Sequence, residues 1–283
     1  MHGQSRVGCG ARTVENYLRH ARDVAAVDFA GDQANDHMIT NDEWAETQRV
    51  TKDLHAPGRF VTFLGFEWSP RTKFGGHHNV YFRDPDGRKR ISNHVTTSLQ
   101  ELYEGLRDAH RTDDVLIIPH AHQPGDWRQN DPDMERLVEV NSGHGVFEWY
   151  GNRFLQNGFD VGFIGSSDDH TGHPGYLGMT HVQFTGLAGV IAGANTSDEI
   201  FDAMRNRSAY ATTGERILRV RVHEVVPTDL AERLRCFVAE LEEQEAALRE
   251  FAQRTGLRLT KVYTDHGLSP THGTCAGLVA ILD

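Results

Sequence analysis

The chain has 283 residues, of which 29 are Lys or Arg and 40 are Asp or Glu, so its formal net charge at pH 7 is −11. With 38% hydrophobic residues, the composition excludes a disordered chain, and the acidic balance argues against broad binding to nucleic acid or anionic membranes. The unusual count is that of histidine, because 14 of the 17 histidines lie within residues 1–222.

Helix-like and strand-like segments alternate along the first 220 residues. In chain order these are a helix at residues 13–25, a strand at 27–30, a helix at 40–54, strands at 59–67 and 78–82, a helix at 98–109, strands at 115–119 and 137–140, a helix at 147–157, a strand at 161–164 and a helix at 197–207. Thr13 and Thr40 are placed to cap their helices, and Glu43 completes a capping box. This alternation, with apolar strands such as VLIIP, predicts a parallel α/β sheet or barrel.

The last sixty residues differ in character from the rest. Residues 228–254 are charged and predict a helix with a heptad-like apolar stripe, for which ordinary packing is favoured over a dimeric coiled coil. A homo-oligomer through this helix is the alternative. We therefore predict a main domain over residues 1–222 and a small α-rich appendage over residues 223–283.

Side chains that can bind a metal follow most of the predicted strands. They are Asp32, Glu67, His120, His122, Asn141, His144, Asp168, Asp169 and His170. In a parallel α/β domain, ligands bind at the carboxyl ends of the strands, so we expect these side chains to meet. His77 and His78 instead begin a strand, and His2 lies at the start of the chain. A carboxylate such as Glu67 at the end of an apolar strand is costly unless it is paired or metal-bound.

These candidates combine imidazole with carboxylate and include no thiolate, a set that suits Zn, Mn or Fe(II) in a hydrolytic site. Two or three ions could be held if Glu67 bridges them, and ions about 3.5–4 Å apart generate hydroxide at neutral pH and clamp a phosphoryl group. Each residue alone also has an ordinary interpretation, such as a loop histidine for His120 and a turn or helix cap for Asp168. Arg71 and Lys73 could meet an anionic substrate, although a solvated loop is the commoner role.

The succession of certain segments is similar to a known family. The segments are HGQS, GDQAND, PGRFVTFLGFEWS, GGHHNVYF, VLIIPHAH, VEVNSGHGVFEW, GSSDDHTGHPG and YATTGERI. From His2 to about Val222, they resemble the PHP (polymerase and histidinol phosphatase) superfamily, and within it the uncharacterised family catalogued as domain of unknown function 3604. The resemblance implies a distorted (β/α)7 TIM-like barrel of PHP type. It also implies a centre of two or three divalent metal ions that hydrolyses phosphate esters.

The resemblance also implies a set of metal-binding positions. They are His2, Gln4, Asp32, Glu67, His77, His78, His120, Asp168 and His170. Gln4 and Gln33 stand where the family has imidazoles, so one of three metal positions is in question, and the choice between His77 and His78 stays open. The first strand of such a barrel, with its acidic residue, is expected directly upstream of His2.

Together these features predict a metal-dependent hydrolase, most simply a phosphoesterase, in which a metal-bridging hydroxide attacks phosphorus. Glu67 bridges the ions, and His122 or His144 protonates the leaving group. The expected partner is a small anionic substrate, a phosphate ester, with no nucleic acid and no membrane. The alternatives are a catalytically decayed barrel that serves as a binding or interaction protein, or a hydrolase of sulfate esters, phosphonates or amides.

Two further expectations concern location and the tail. No apolar run approaches the roughly 18 residues of a membrane helix, and three widely spaced cysteines fit no disulfide framework, so we expect a cytoplasmic protein. The tail faintly resembles part of the catalytic domain of serine recombinases. Arg221-Val222-His223 stands where those enzymes carry Arg-Val-Ser, so no recombinase activity is implied, and a gene-fusion remnant is the interpretation.

Overall fold

The structure is a computed structural model that describes residues 2–70, 76–175 and 186–214, together with the backbone of residues 259–264 and 278–282. The chain divides into two compact units, Met1–Arg216 and Ile217–Asp283. Arg71, Lys73, the predicted helix at residues 228–254 and the predicted boundary at residue 222 lie outside the described residues. The domain boundaries, the oligomer through the tail helix and the recombinase resemblance therefore stay predictions.

The first unit is a mixed α/β fold. Its helices are α1 (Val14–Asp23), α2 (Asn41–Leu54), α3 (Leu99–Ala109), α4 (Glu148–Gln156) and α5 (Ser197–Arg205), with a 3₁₀ turn at Thr112–Asp114. Its strands are β1 (Phe29–Asp32), β2 (Val61–Trp68), β3 (His78–Phe82), β4 (Val115–Pro119), β5 (Leu137–Ser142), β6 (Gly145–Val146), β7 (Gly162–Gly165), β8 (Leu187–Val190) and β9 (Ala209–Thr212). In the second unit, β10 (Leu259–Thr264) pairs antiparallel with β11 (Leu278–Leu282).

The five helices predicted within the described residues are confirmed within two residues at each end, and the predicted caps of α1 and α2 are present. The side chain of Thr13 accepts the amide of Asn16 at the start of α1. Thr40 and Glu43 form the predicted capping box of α2, which satisfies amides that have no partner inside the helix. No helix in the described part of the chain is long and apolar enough to cross a membrane.

The sheets are mixed and not parallel throughout, which corrects the prediction. β1 and β2 are parallel, but β3 lies antiparallel between β2 and β4. Only nine residues, 69–77, separate β2 from β3, too few for the helical crossover that parallel neighbours need. In a second sheet, β5 pairs parallel with β7 and antiparallel with β6. Because the hydrogen-bonded ladders of the described residues do not close on themselves, the seven-stranded barrel is not confirmed.

The core packs on both faces of β2. On one face, Leu64 and Phe66 pack against residues of α1, α2 and α3. On the other face, Val61 and Phe63 pack with residues of β4, β5 and β7 and with Phe201 of α5. Because side chains alternate along a strand, Glu67 lies on the same face as Val61 and Phe63, beyond their apolar layer. The apolar side chains on this face of β2 therefore pack directly below Glu67.

Candidate metal centre

Glu67, His120 and Asp168 come together, as predicted. Glu67 is the penultimate residue of β2, His120 follows β4 and Asp168 follows β7. The segment of His2 and Gly3 lies beside them, because Gly3 forms a bridge with Asp169 and the amide of Asp168 donates to the carbonyl of His2 at 3.0 Å. Four segments distant in sequence thus meet at one place.

Asp168 is the carboxylate around which the imidazoles gather. Its Oδ1 lies 3.2 Å from Nε2 of His2 and 3.1 Å from Nε2 of His170. Its Oδ2 lies 2.9 Å from Nε2 of His120 and 3.1 Å from Nε2 of His144. Burial alone would raise the pKa of Asp168, but the charges of His2 and His120 hold it well below its usual range. Asp168 therefore stays ionised and available to a cation.

Glu67 forms the second gathering point. Its Oε1 contacts Nδ1 of His77, and its Oε2 accepts hydrogen bonds from Nε2 of Gln4 at 2.6 Å and Nδ2 of Asn35 at 3.0 Å. Nε2 of His2 lies 3.6 Å from the same oxygen. Burial opposes ionisation of Glu67, but the nearby imidazoles of His2 and His77 and the charge of His2 lower its pKa below its usual range.

A third buried carboxylate, Glu139, was missed by the sequence reasoning. It lies in β5, and its Oε2 and Oε1 are 3.2 Å and 3.4 Å from Nδ1 of His2. The available signal was a glutamate inside the otherwise apolar run LVEV, which is costly to bury without a partner. Burial would lower the pKa of His2, but the charges of Asp168 and Glu139 raise it well above its usual value.

The described residues form two groups whose ligand atoms lie within 4.8 Å of one another. One group is His2, His120 and Glu139, and the other is His144, Asp168 and His170. Both consist of imidazole and carboxylate, the donor set that suits Zn, Mn or Fe. Nε2 of His2 is buried without a hydrogen-bond partner, although it faces carboxylate oxygens of Glu67 and Asp168. The residues present therefore fit divalent cations.

Three predicted ligands have other partners in the structure. Asp32 accepts the amide of Ser5 at 2.8 Å and its hydroxyl at 2.7 Å, and burial raises the pKa of Asp32 to about 6. Besides its bond to Glu67, Gln4 accepts the amide of Cys9 through Oε1 at 3.0 Å. None of these contacts was predicted, because they depend on how the loop at residues 5–10 folds back over the first segment.

His78 is the third of these residues. Its Nδ1 lies 2.9 Å from the carbonyl oxygen of Gly76, and its ring packs against Trp68 at a centroid distance of 5.8 Å. Burial lowers the pKa of His78 to about 4. His77 is the histidine that reaches Glu67, so the geometry favours His77 over His78 as the ligand.

The two predicted proton donors lie on the solvent side. The rings of His122 and His144 stack with centroids 3.8 Å apart and planes 11° apart, and both residues are exposed. The amide of His122 donates to Nδ1 of His120 at 2.9 Å. Burial, followed by the charges of His144 and His120, lowers the pKa of His122. Solvent therefore reaches the centre past these two rings.

Cys9 is another contact that the sequence reasoning missed. Its Sγ lies 3.3 Å from Nδ1 of His170 and 3.1 Å from Oε1 of Gln4. Hydrogen bonds with Asp168 and Cys9 raise the pKa of His170 to about 10. The position of Cys9, five residues after Gln4 in the HGQS segment, was the only available signal.

Comparison with protein families gives one match that covers more than half of the chain. Residues 7–124 and 175–233 match the model of a family described as "Protein of unknown function (DUF3604)". The stretch between these segments contains His144, Asp168 and His170. Uncharacterized proteins of Chlamydia pneumoniae and Chlamydia trachomatis are 25% and 23% identical, with 77% of this chain aligned to 39% of each relative. The chain thus spans about two fifths of the length of these relatives.

Solved structures with the same fold include a two-domain protein from Bacteroides vulgatus, described as containing a predicted PHP-like metal-dependent phosphoesterase. It has a TM-score of 0.51 and 16% identity, over 75% of this chain and 63% of that chain. PsfC from Pseudomonas syringae has a TM-score of 0.52 and 13% identity, over 75% of this chain and 89% of that chain. At these identities the likeness is one of fold.

Proposed function

The chain belongs to the DUF3604 family, and from that premise we propose that it is a metal-dependent hydrolase whose substrate is a small phosphate ester. The observation that carries the proposal is the surrounding of Asp168, which has four imidazoles within 3.2 Å in the described part of the chain. Such a buried cluster, with Glu67 and Glu139 beside it, is suited to neutralisation by divalent cations.

The candidate ligands differ in how deeply they are buried. His2, His120 and Glu139 are buried, whereas His144 and His170 have about a third of their side-chain surface exposed. When bound, divalent cations would lower the pKa of water and offset negative charge on a phosphoryl group. The buried residues would hold such ions, with Glu67 contacting His77 on one side and His2 on the other.

The exposed rings of His122 and His144 lie where a substrate would enter. We assign to His122 or His144 the delivery of a proton from a ring nitrogen to the leaving oxygen. A phosphate ester is the preferred substrate because the fold neighbour from Bacteroides vulgatus is described as phosphoesterase-like, which is an analogy of fold. Zn, Mn or Fe as the metal, and the cytoplasm as the location, belong to the same proposal.

The proposal is tested by metal analysis and turnover on the same preparations. The protein is purified without chelator and reloaded with Zn, Mn or Fe, and an aryl phosphate and an aryl phosphodiester serve as substrates. We expect at least about one equivalent of metal and measurable turnover. Glu67→Gln and His120→Ala should lose both, whereas Glu46→Gln, a matched change at an exposed position of α2, should lose neither.

Less than about half an equivalent of metal after reloading would remove the proposal. The carboxylates of the cluster would then be neutralised by protonated histidines and not by cations. Metal binding without turnover of any phosphate ester would favour the alternative of a binding protein. Gln4, which replaces an expected imidazole and has both ends of its amide engaged, is the observation in favour of that alternative. Turnover of a sulfate ester, phosphonate or amide instead would keep the metals and change the substrate class.

A further inference from the structure

Glu139 is a buried carboxylate for which the proposed function gives no separate role. Its side chain is 1% exposed, and it comes from the middle of β5. Both of its oxygens lie beside Nδ1 of His2, at 3.2 Å and 3.4 Å. An ionised carboxylate can only accept hydrogen bonds, so this contact places a proton on Nδ1 of His2.

The opposite nitrogen of the same ring faces the centre. Nε2 of His2 lies 3.2 Å from Oδ1 of Asp168 and 3.6 Å from Oε2 of Glu67, and it is buried without a hydrogen-bond partner. A cation that displaces the Nε2 proton would leave the Nδ1 proton in place, so the Nε2 lone pair of the then neutral ring would bind the cation beside these two carboxylate oxygens. One imidazole nitrogen and two carboxylate oxygens are a donor set that suits a divalent cation.

His2 needs a partner to keep this orientation. The bridge of Gly3 with Asp169 and the hydrogen bond from the amide of Asp168 hold its backbone but not its ring, and its segment is part of no helix or longer strand in the described residues. The ring has an edge contact with His120 at a centroid distance of 4.4 Å, which limits its position but not its tautomer. A hydrogen bond from Nδ1 to a fixed acceptor determines both, and β5 supplies that acceptor.

We propose that Glu139 is a positioning residue that holds His2 with its proton on Nδ1, so that Nε2 is free to bind a cation shared with Glu67 and Asp168. The inference rests on the proposed function, because it assumes that the centre takes up divalent cations. Glu139 lies outside the two segments that match the family model, and its role is to accept a hydrogen bond from Nδ1, the nitrogen of His2 that does not bind the cation. Carboxylates that contact metal-binding histidines in this way typically alter metal affinity about 10–100-fold.

The competing role for Glu139 is that of a direct ligand, since its oxygen lies in one ligand group with His2 and His120. The two roles differ in what the conservative variant does. An amide oxygen can still accept from Nδ1 of His2, so Glu139→Gln should preserve a positioning role in part, whereas Glu139→Ala removes it. A direct carboxylate ligand is lost in both variants.

The experiment uses the full-length chain loaded with zinc. Two-bond ¹H–¹⁵N correlation spectra of histidine rings, with His2 assigned from a His2→Gln sample, report which nitrogen carries the proton. Competition with a chromophoric chelator reports zinc affinity. We expect a proton on Nδ1 and zinc on Nε2 of His2, an affinity about 10-fold lower in Glu139→Gln and about 100-fold lower in Glu139→Ala, and unchanged stoichiometry.

Glu135→Gln is the matched control, because Glu135 is also a buried glutamate but accepts from the hydroxyl of Tyr103 at 2.6 Å. Its zinc affinity should equal that of the wild type. Zinc on Nδ1 of His2, loss of one zinc in Glu139→Gln, or equal affinity in all proteins would each overturn the inference. The tautomer measurement needs only the wild type, so it stands even if a variant fails to fold. A wild type that takes up none of zinc, manganese and iron would overturn the proposed function as well, which separates the two failures.

Discussion

At the residue scale, the neighbouring histidines His77 and His78 differ in role, since one contacts a candidate ligand and the other packs in the protein interior. Successive side chains near the start of β3 point to opposite faces of the sheet. His77 therefore reaches Glu67, while His78 packs against Trp68. His77 keeps 26% of its side chain exposed, and His78 is fully buried.

Separate alanine substitutions should distinguish these roles. His77→Ala is expected to lower zinc affinity with little change in the free energy of unfolding, because the lost ring is partly solvated and contacts a ligand. His78→Ala should leave zinc affinity nearly unchanged and lower the free energy of unfolding by about 2 kcal/mol through the cavity it leaves. Chelator competition and urea unfolding measure the two effects. Loss of zinc affinity in His78→Ala, with loss of stability in His77→Ala, would contradict this geometry.

At the scale of elements, α3 is joined to the segment before β5 by a buried polar contact. Tyr103 of α3 donates to Oε2 of Glu135 at 2.6 Å, and Nδ2 of Asn130 lies 3.3 Å from Oε1. Burial raises the pKa of Glu135 from 4.5 to about 8, although these hydrogen bonds oppose the rise. The folded protein therefore holds a proton on Glu135 at neutral pH that the unfolded chain releases.

The sign of the resulting pH dependence follows from this proton. Between pH 4.5 and about pH 8 the folded state binds one proton more at Glu135 than the unfolded state, so its contribution to the free energy of unfolding falls as pH rises. In Glu135→Gln this loss is absent. The free energy of unfolding of the variant relative to wild type should rise by about 3 kcal/mol from pH 5 to pH 8, measured by urea unfolding.

Glu46→Gln provides the comparison for that measurement, because its carboxyl is exposed on α2. Its difference from wild type should stay constant over the same range. If the difference for Glu135→Gln also stays constant, Glu135 is ionised in the folded protein and the proposed proton uptake is wrong.

The elements also show what a sequence can and cannot predict. The helices were predictable because caps such as Thr40 with Glu43 and an apolar face are local features. The direction of β3 was not predictable, because the alternation of helices and apolar strands is typical of a parallel sheet. In the structure, the short segment after β2 instead leads into β3 as an antiparallel neighbour of β2. Glu139 was overlooked because its partner, His2, is 137 residues away.

At the scale of the whole molecule, the candidate site depends on contacts between segments from His2 to His170. The rule that ligands gather at strand ends predicted Glu67, His120 and Asp168 correctly as neighbours. Asp32, the last residue of β1, instead accepts hydrogen bonds from the amide and hydroxyl of Ser5. Such local hydrogen bonds depend on loop conformation, which no periodicity in the sequence encodes.

The decisive measurement for a cation shared by His2, Glu67 and Asp168 is anomalous X-ray diffraction from crystals of the full chain grown with zinc, with data on both sides of the zinc absorption edge. We expect an anomalous peak within bonding distance of Nε2 of His2 and of oxygens of Asp168 and Glu67. The peak should disappear in crystals of Glu67→Gln, which differs from the wild type by one non-hydrogen atom. Peaks confined to surface histidines, with the space between His2, Glu67 and Asp168 empty, would contradict this expectation.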